Sequence, residues 1–164
     1  MSALPDRLIG VPEGVSIRSA RPRGVAIVGQ DQLRRQILHV RDRPENLAVA
    51  YIGLSARYAL NAGLHVVIEG ILSEEIYGDM LRQLIEDHLG VTRCYRYEVS
   101  FDETLRRHAT KPDADEFGET EMRQWWRDSD ELTGADEALI PAEYSLTDGV
   151  LRVLDDCGWT DGRL

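Results

Sequence analysis

The sequence predicts an α/β fold in which helices cover both faces of a parallel β-sheet, a three-layer sandwich. Three observations carry this. Strand-like runs recur at Gly24 to Val28, His65 to Gly70 and Arg93 to Val99, and the first two are continuously apolar through their middles, as strands buried on both faces are. Segments with helical spacing fill the intervals between them. The resulting order of strand and helix, repeated, calls for parallel strands joined by crossovers.

The elements follow in order. Gly24 to Val28 (GVAIV) is a strand ending at Gly29-Gln30-Asp31, and Leu33 to His39 a short helix that stops near Arg43-Pro44, because the residue before proline disfavours helical geometry. Leu47 to Asn61 is a stronger helix, with Leu47, Ala50, Tyr51, Leu54, Tyr58 and Asn61 recurring at spacings of three and four as its expected core stripe. Gly63 stands where a left-handed C-terminal cap belongs. After the strand at His65 to Gly70, Ser73 is the expected cap of the next helix, Glu74 and Glu75 favour the positive end of its dipole, and Ile76, Met80, Leu81, Leu84 and Ile85 form its core stripe. A strand at Arg93 to Val99, a helix from Asp102 to about His108, a polar stretch from Thr110 to Gly118, a helix from Glu119 to about Leu132, a strand at Ala138 to Ile140 and a helix from Leu146 to Cys157 complete the chain.

With 164 residues, 43% of them hydrophobic and 29% charged, the chain is sized and composed for one folded domain over 1–164. The formal charge of −10 argues against non-specific nucleic-acid binding, whose affinity comes from cationic neutralisation of phosphates. No run reaches the roughly 18 apolar residues that span a bilayer. Membrane association is not expected, and Cys94 and Cys157, isolated from each other and from metal-ligand partners, suit a reducing, cytoplasmic setting.

In a parallel α/β sheet, ligands collect beyond the carboxyl ends of the strands. Asp31 and Glu69 both fall at such ends, so the fold is expected to put two carboxylates on one rim. Basic residues cluster at Arg34-Arg35 and at Arg106-Arg107 and Lys111. The competing readings are structural: Asp31 as a helix cap, Glu69 as a solvated rim carboxylate, the arginines as exposed helix faces, and Arg107 and Lys111 as ion pairs with Asp102, Glu103 or Asp113.

The phrases VAIVGQDQLRR, HVVIEGIL, TLRRHATKP and WWRDSDEL, in this order over roughly Gly24 to Trp159, resemble small bacterial P-loop kinases, the group around chloramphenicol phosphotransferase, gluconate kinase and the zeta toxins. The resemblance implies a nucleoside monophosphate kinase-like P-loop NTPase fold with a helical lid at about 102–132. It implies phosphoryl transfer from ATP to a hydroxyl of a small-molecule substrate, with Mg²⁺. Asp31 would take the hydroxyl proton, Glu69 would hold Mg²⁺ or orient substrate, and Arg34 or Arg35 would contact substrate. Arg107 would act in catalysis from the lid, with Arg106 and Lys111 on the nucleotide phosphates, since guanidinium forks pair with phosphate oxygens.

One departure stands out. A P-loop reads G-x-x-x-x-G-K-[ST], and the family would place it within residues 1–23. Here the nearest segment is Leu8-Ile9-Gly10-Val11-Pro12-Glu13-Gly14-Val15-Ser16. Gly10, Gly14 and Ser16 occupy the phosphate-binding and Mg²⁺-binding positions, yet the glycines are one residue too close and Val15 replaces the lysine. Three accounts are compatible with this: a substitute nucleotide site, a frame shift over the first two dozen residues of a kinase, or a catalytically inactive kinase-fold module that binds or dimerises. In the last, a shortened first helix would leave apolar sheet surface open to a second copy.

Overall fold

A computed structural model of the chain describes residue 17 and residues 23–109, 118–127 and 130–159. It is a mixed α/β structure with short parallel strand pairs. The elements run β1 (Val25–Gly29), α1 (Gln32–Ile37), α2 (Leu47–Asn61), β2 (His65–Glu69), α3 (Glu74–Asp87), β3 (Cys94–Glu98), α4 (Phe101–His108), α5 (Glu119–Trp125), β4 (Glu137–Pro141) and α6 (Leu146–Asp156).

The strands are parallel, as their alternation with helices requires. β1 lies against β2 with Val25 opposite His65 and Gly29 opposite Glu69. β3 lies against β4 with Cys94 opposite Glu137 and Glu98 opposite Pro141. The expectation of one sheet is corrected here: among the described residues the strands form two separate two-stranded sheets, because no described strand hydrogen-bonds to both β2 and β3. Shared side-chain packing joins the pairs instead. Val28 of β1, Ile68 of β2 and Cys94 of β3 enter one core with Ile52 and Ala56 of α2 and Leu81 and Leu84 of α3. The neighbouring Val67 faces the other way, onto Val150 and Leu154 of α6 and onto Ile17. Successive side chains of a strand point to opposite faces, so β2 is covered on both, with α2 and α3 on one side and α6 on the other. Val153 of α6 also packs against the cluster of Tyr95, Tyr97, Val99 and Ile140, tying β3 and β4 to the same helix.

Local chemistry explains most boundaries. Asn46 caps α2 by accepting the Ala48 amide at 2.9 Å. At its other end Gly63 takes φ +79°, and the Gly63 and Leu64 amides donate to the Leu60 and Ala59 carbonyls, a Schellman closure that needs the left-handed residue. Ser145 and Asp148 cap α6 reciprocally.

Four sequence-based expectations are revised. The stripe of Leu47, Ala50, Tyr51, Leu54 and Tyr58 on α2 faces outward, and the buried face is Ala48, Ile52, Gly53, Ala56 and Ala59. The reason is close approach: a β-carbon at Gly53 would sit 3.1 Å from Met80 Cγ, so small residues turn inward to let α2 lie against α3. Ser73 precedes α3 without a side-chain cap; Asp130 supplies it, accepting the Glu74 amide at 3.0 Å. The helix expected to reach Leu132 stops at Trp125, because Asp130 is drawn to that cap and Leu132 into the main core. The helix after β1 spans Gln32–Ile37 and has π geometry, with the Leu38 amide donating to the Leu33 carbonyl at 3.0 Å.

Candidate functional site at the carboxyl rim of β1 and β2

The parallel register sets the geometry. Gly29 opposite Glu69 means that both chains leave their strands at the same level, and Asp31 follows two residues later. The expectation that Asp31 and Glu69 share a rim therefore matches the strand pairing. Glu69 is buried, and its Oε1 would lie 3.5 Å from a β-carbon at Gly29, so its carboxylate leans across the end of β1. Gly70, just beyond, has φ +132°, and a β-carbon there would meet the Gln30 β-carbon at 2.6 Å. Only glycine permits the two turns to approach this closely.

Asp31 stands at the N-cap position of α1 in helical conformation and makes no side-chain cap. Its carboxylate instead accepts from Arg34 Nη2 at 2.8 Å. The Arg34 guanidinium is buried and fixed on its other sides: Nη1 donates to the Val40 carbonyl at 3.3 Å, and Nε lies 3.8 Å from Asp42. The π-turn makes this reach possible, since widening the helix lets the Arg34 carbonyl accept the Val40 amide and folds residues 38–42 back over the arginine. π-Turns of this kind occur often at functional sites. The side chain of Asp31 is 39% exposed while that of Arg34 is 10%. The pair thus presents an accessible carboxylate held by an inaccessible cation. Arg35, one position on, is exposed.

Behind them lies a polar cluster that sequence reading missed. Gln30, fully buried, donates from Nε2 to the Tyr77 hydroxyl at 2.9 Å and to Asp42 Oδ2 at 3.1 Å. The Tyr77 hydroxyl donates in turn to Asp42 Oδ1 at 2.7 Å. Burial, aided by the Asp42 carboxylate and opposed by the Gln30 hydrogen bond, pushes the Tyr77 phenol up to about 12. Tyr77 was within reach of sequence analysis: with Leu81 and Leu84 it continues a stripe at spacings of four and three. Gln30 and Asp42 carried no such signal.

Gly10, Gly14, Ser16 and Lys111 fall outside the described residues. On α4, Glu103 receives Arg106 through two bonds of 2.7 Å and Arg107 through one of 2.7 Å. Arg107 also donates to the Ala142 carbonyl at 2.5 Å after β4. The ion-pair alternative with Glu103 is thus present for Arg107, and Arg106 shares the same carboxylate. The two guanidinium groups, Arg106 first, hold the Glu103 carboxyl down at about 2. Phe101 joins α4 to α5, meeting Trp126 edge-on with ring centres 5.5 Å apart and carrying Arg123 4.2 Å above its face.

The rim thus brings together Asp31, Glu69, Arg34 and Asp42, with Gln30 and Tyr77 fixing the last of these. It can accept a proton at an exposed carboxylate and hold polar groups against a rigid backing. Among the described residues, no group of three or more His, Cys, Asp and Glu forms a metal cage. Mg²⁺ carried on nucleotide phosphates needs only one or two protein carboxylates, so a single rim carboxylate such as Glu69 fits that donor set. Comparison with family models, curated proteins and solved structures gives no match.

Proposed function

We propose that the chain is an ATP-dependent phosphotransferase of the P-loop kinase type that acts on a hydroxyl of a small molecule at the rim of β1 and β2. The observation that carries this reading is the accessible Asp31 carboxylate, fixed by buried Arg34 and level with Glu69 across the parallel pair. In the proposed step the substrate oxygen bonds to the γ-phosphorus of ATP as the bond to the β,γ-bridging oxygen breaks. ADP leaves, and the hydroxyl proton passes to Asp31. A carboxylate can take this proton because the hydroxyl becomes acidic only as transfer proceeds. Arg34 positions Asp31 and stays away from the phosphates. Glu69 would hold Mg²⁺, which when bound offsets charge on the transferring phosphate. With Val15 in the lysine position, transfer is slow, since removing such a stabiliser costs orders of magnitude in rate. Two free thiols and ATP chemistry suit a cytoplasmic protein.

The test follows label from γ-labelled ATP into a pool of small alcohols, sugars and hydroxylated antibiotics. Transfer by the wild type that falls roughly 10²- to 10⁴-fold in Asp31→Asn is expected. Transfer that survives the substitution, or none in the wild type, counts against the reading.

A further inference from the structure

We infer that the outward face of α2 is a self-association surface, on which two copies of the chain pair as an antiparallel dimer. The helix exposes Leu47, Ala50, Tyr51, Leu54, Tyr58 and Asn61, and none of these six carries a charge. Leu47 is 69% exposed, Leu54 65%, Tyr58 80% and Tyr51 38%. Scaled by the roughly 150–250 Å² that an aromatic side chain carries, these four leave an apolar patch of about 400–500 Å². That lies within the roughly 300–600 Å² of the largest patch on a typical monomer, a patch that is often functional. Counted on two copies it reaches roughly 800–1,000 Å², the size of a weak, reversible contact.

Two features select a second copy as the occupant. The first is charge. The chain has a formal net charge of −10, so a contact that juxtaposes acidic residues is costly, and α2 supplies a face on which two copies meet without one. Its single cation, Arg57, is turned to Asp87 of α3. A cationic or anionic partner would find no counter-charge on this stripe. The second is spacing. Leu47, Tyr51, Leu54 and Tyr58 recur at four, three and four residues, the seam of a helix that packs on another helix. An antiparallel two-fold sets Leu47 against Tyr58 and Tyr51 against Leu54, every leucine facing a tyrosine, so the face is self-complementary as an isologous contact requires. It also opposes the two helix dipoles.

Sedimentation of the full chain between about 1 and 100 μM, the affinity range of small interfaces, is expected to show a monomer–dimer equilibrium. Leu54→Glu, a surface change that leaves the melting curve of the monomer intact, shifts it to monomer throughout. In a Cys157→Ser background, Leu47→Cys with Tyr58→Cys together oxidise to a linked dimer, while each alone does not. In the antiparallel pair the two copies of position 47, like those of position 58, stand about 16 Å apart along the axis, too far for a disulfide. A wild type that stays monomeric, as it would if another segment of the chain covered the stripe, overturns the inference. So does a dimer indifferent to Leu54→Glu, or self-linking by Leu47→Cys alone.

Discussion

Replacing Tyr77 with phenylalanine removes one oxygen from the backing of the proposed site and leaves the ring in place. That oxygen donates to Asp42 at 2.7 Å and accepts from Gln30 at 2.9 Å, inside a side chain with no exposed surface. The bond to the carboxylate is the larger loss, since hydrogen bonds to charged groups contribute about 1.5–3 kcal/mol. Gln30 keeps its second bond, to Asp42 Oδ2 at 3.1 Å, so its amide is not stranded and the total settles near about 2 kcal/mol. In a chain of this size that corresponds to a fall in Tm of roughly 4–8 °C, or a matching drop in the urea midpoint at unchanged slope. The difference carries a pH signature. The phenol sits at about 12 in the folded chain against an ordinary 10.0. A group raised on folding stabilises fully below its unfolded pKa and loses that contribution as pH climbs through the folded one. The gap between wild type and Tyr77→Phe should therefore be constant below pH 10 and shrink between 10 and 12. A loss under about 0.5 kcal/mol, the size of an indifferent surface change, would refute the claim that this hydroxyl holds the cluster together.

Gly70→Ala should be among the most damaging small changes in the chain. It forces a β-carbon to 2.6 Å from the Gln30 β-carbon at φ +132°, where strain and overpacking each cost about 1–3 kcal/mol; urea denaturation reads the sum. Glu103, held down at about 2 against an ordinary 4.5 by Arg106 and Arg107, stabilises α4 above pH 4.5 and loses that contribution as pH falls toward 2. The difference in Tm between wild type and Glu103→Gln should be level at neutral pH and narrow through that window.

How far the sequence revealed the structure depended on how local the determining physics was. β1 and β2 were legible because continuous apolar runs have few alternatives, and the Schellman closure at Gly63 because only a left-handed residue ends a helix that way. The rim position of Asp31 and Glu69 followed from the strand ends alone. The orientation of α2 was not legible, because two apolar stripes compete on it and the winner is set by Met80 packing against Gly53, a contact between helices distant in sequence. The cap of α3 by Asp130 was hidden for the same reason, spanning 56 residues. Gln30 and Asp42 are polar residues of kinds that usually face solvent, and only the fold makes one buried and the other its acceptor. Arg34 divided from Arg35 because the π-turn, which periodicity does not announce, buries the first and exposes the second.

The claim that the carboxyl rim of β1 and β2 meets nucleotide and substrate is tested most directly by amide NMR of the full chain titrated with Mg-ATP. Saturable shifts centred on Gln30, Asp31, Glu69 and Gly70, weakened in Glu69→Gln, are the predicted result. A spectrum unchanged at millimolar Mg-ATP, or shifts confined to residues remote from this rim, would contradict it.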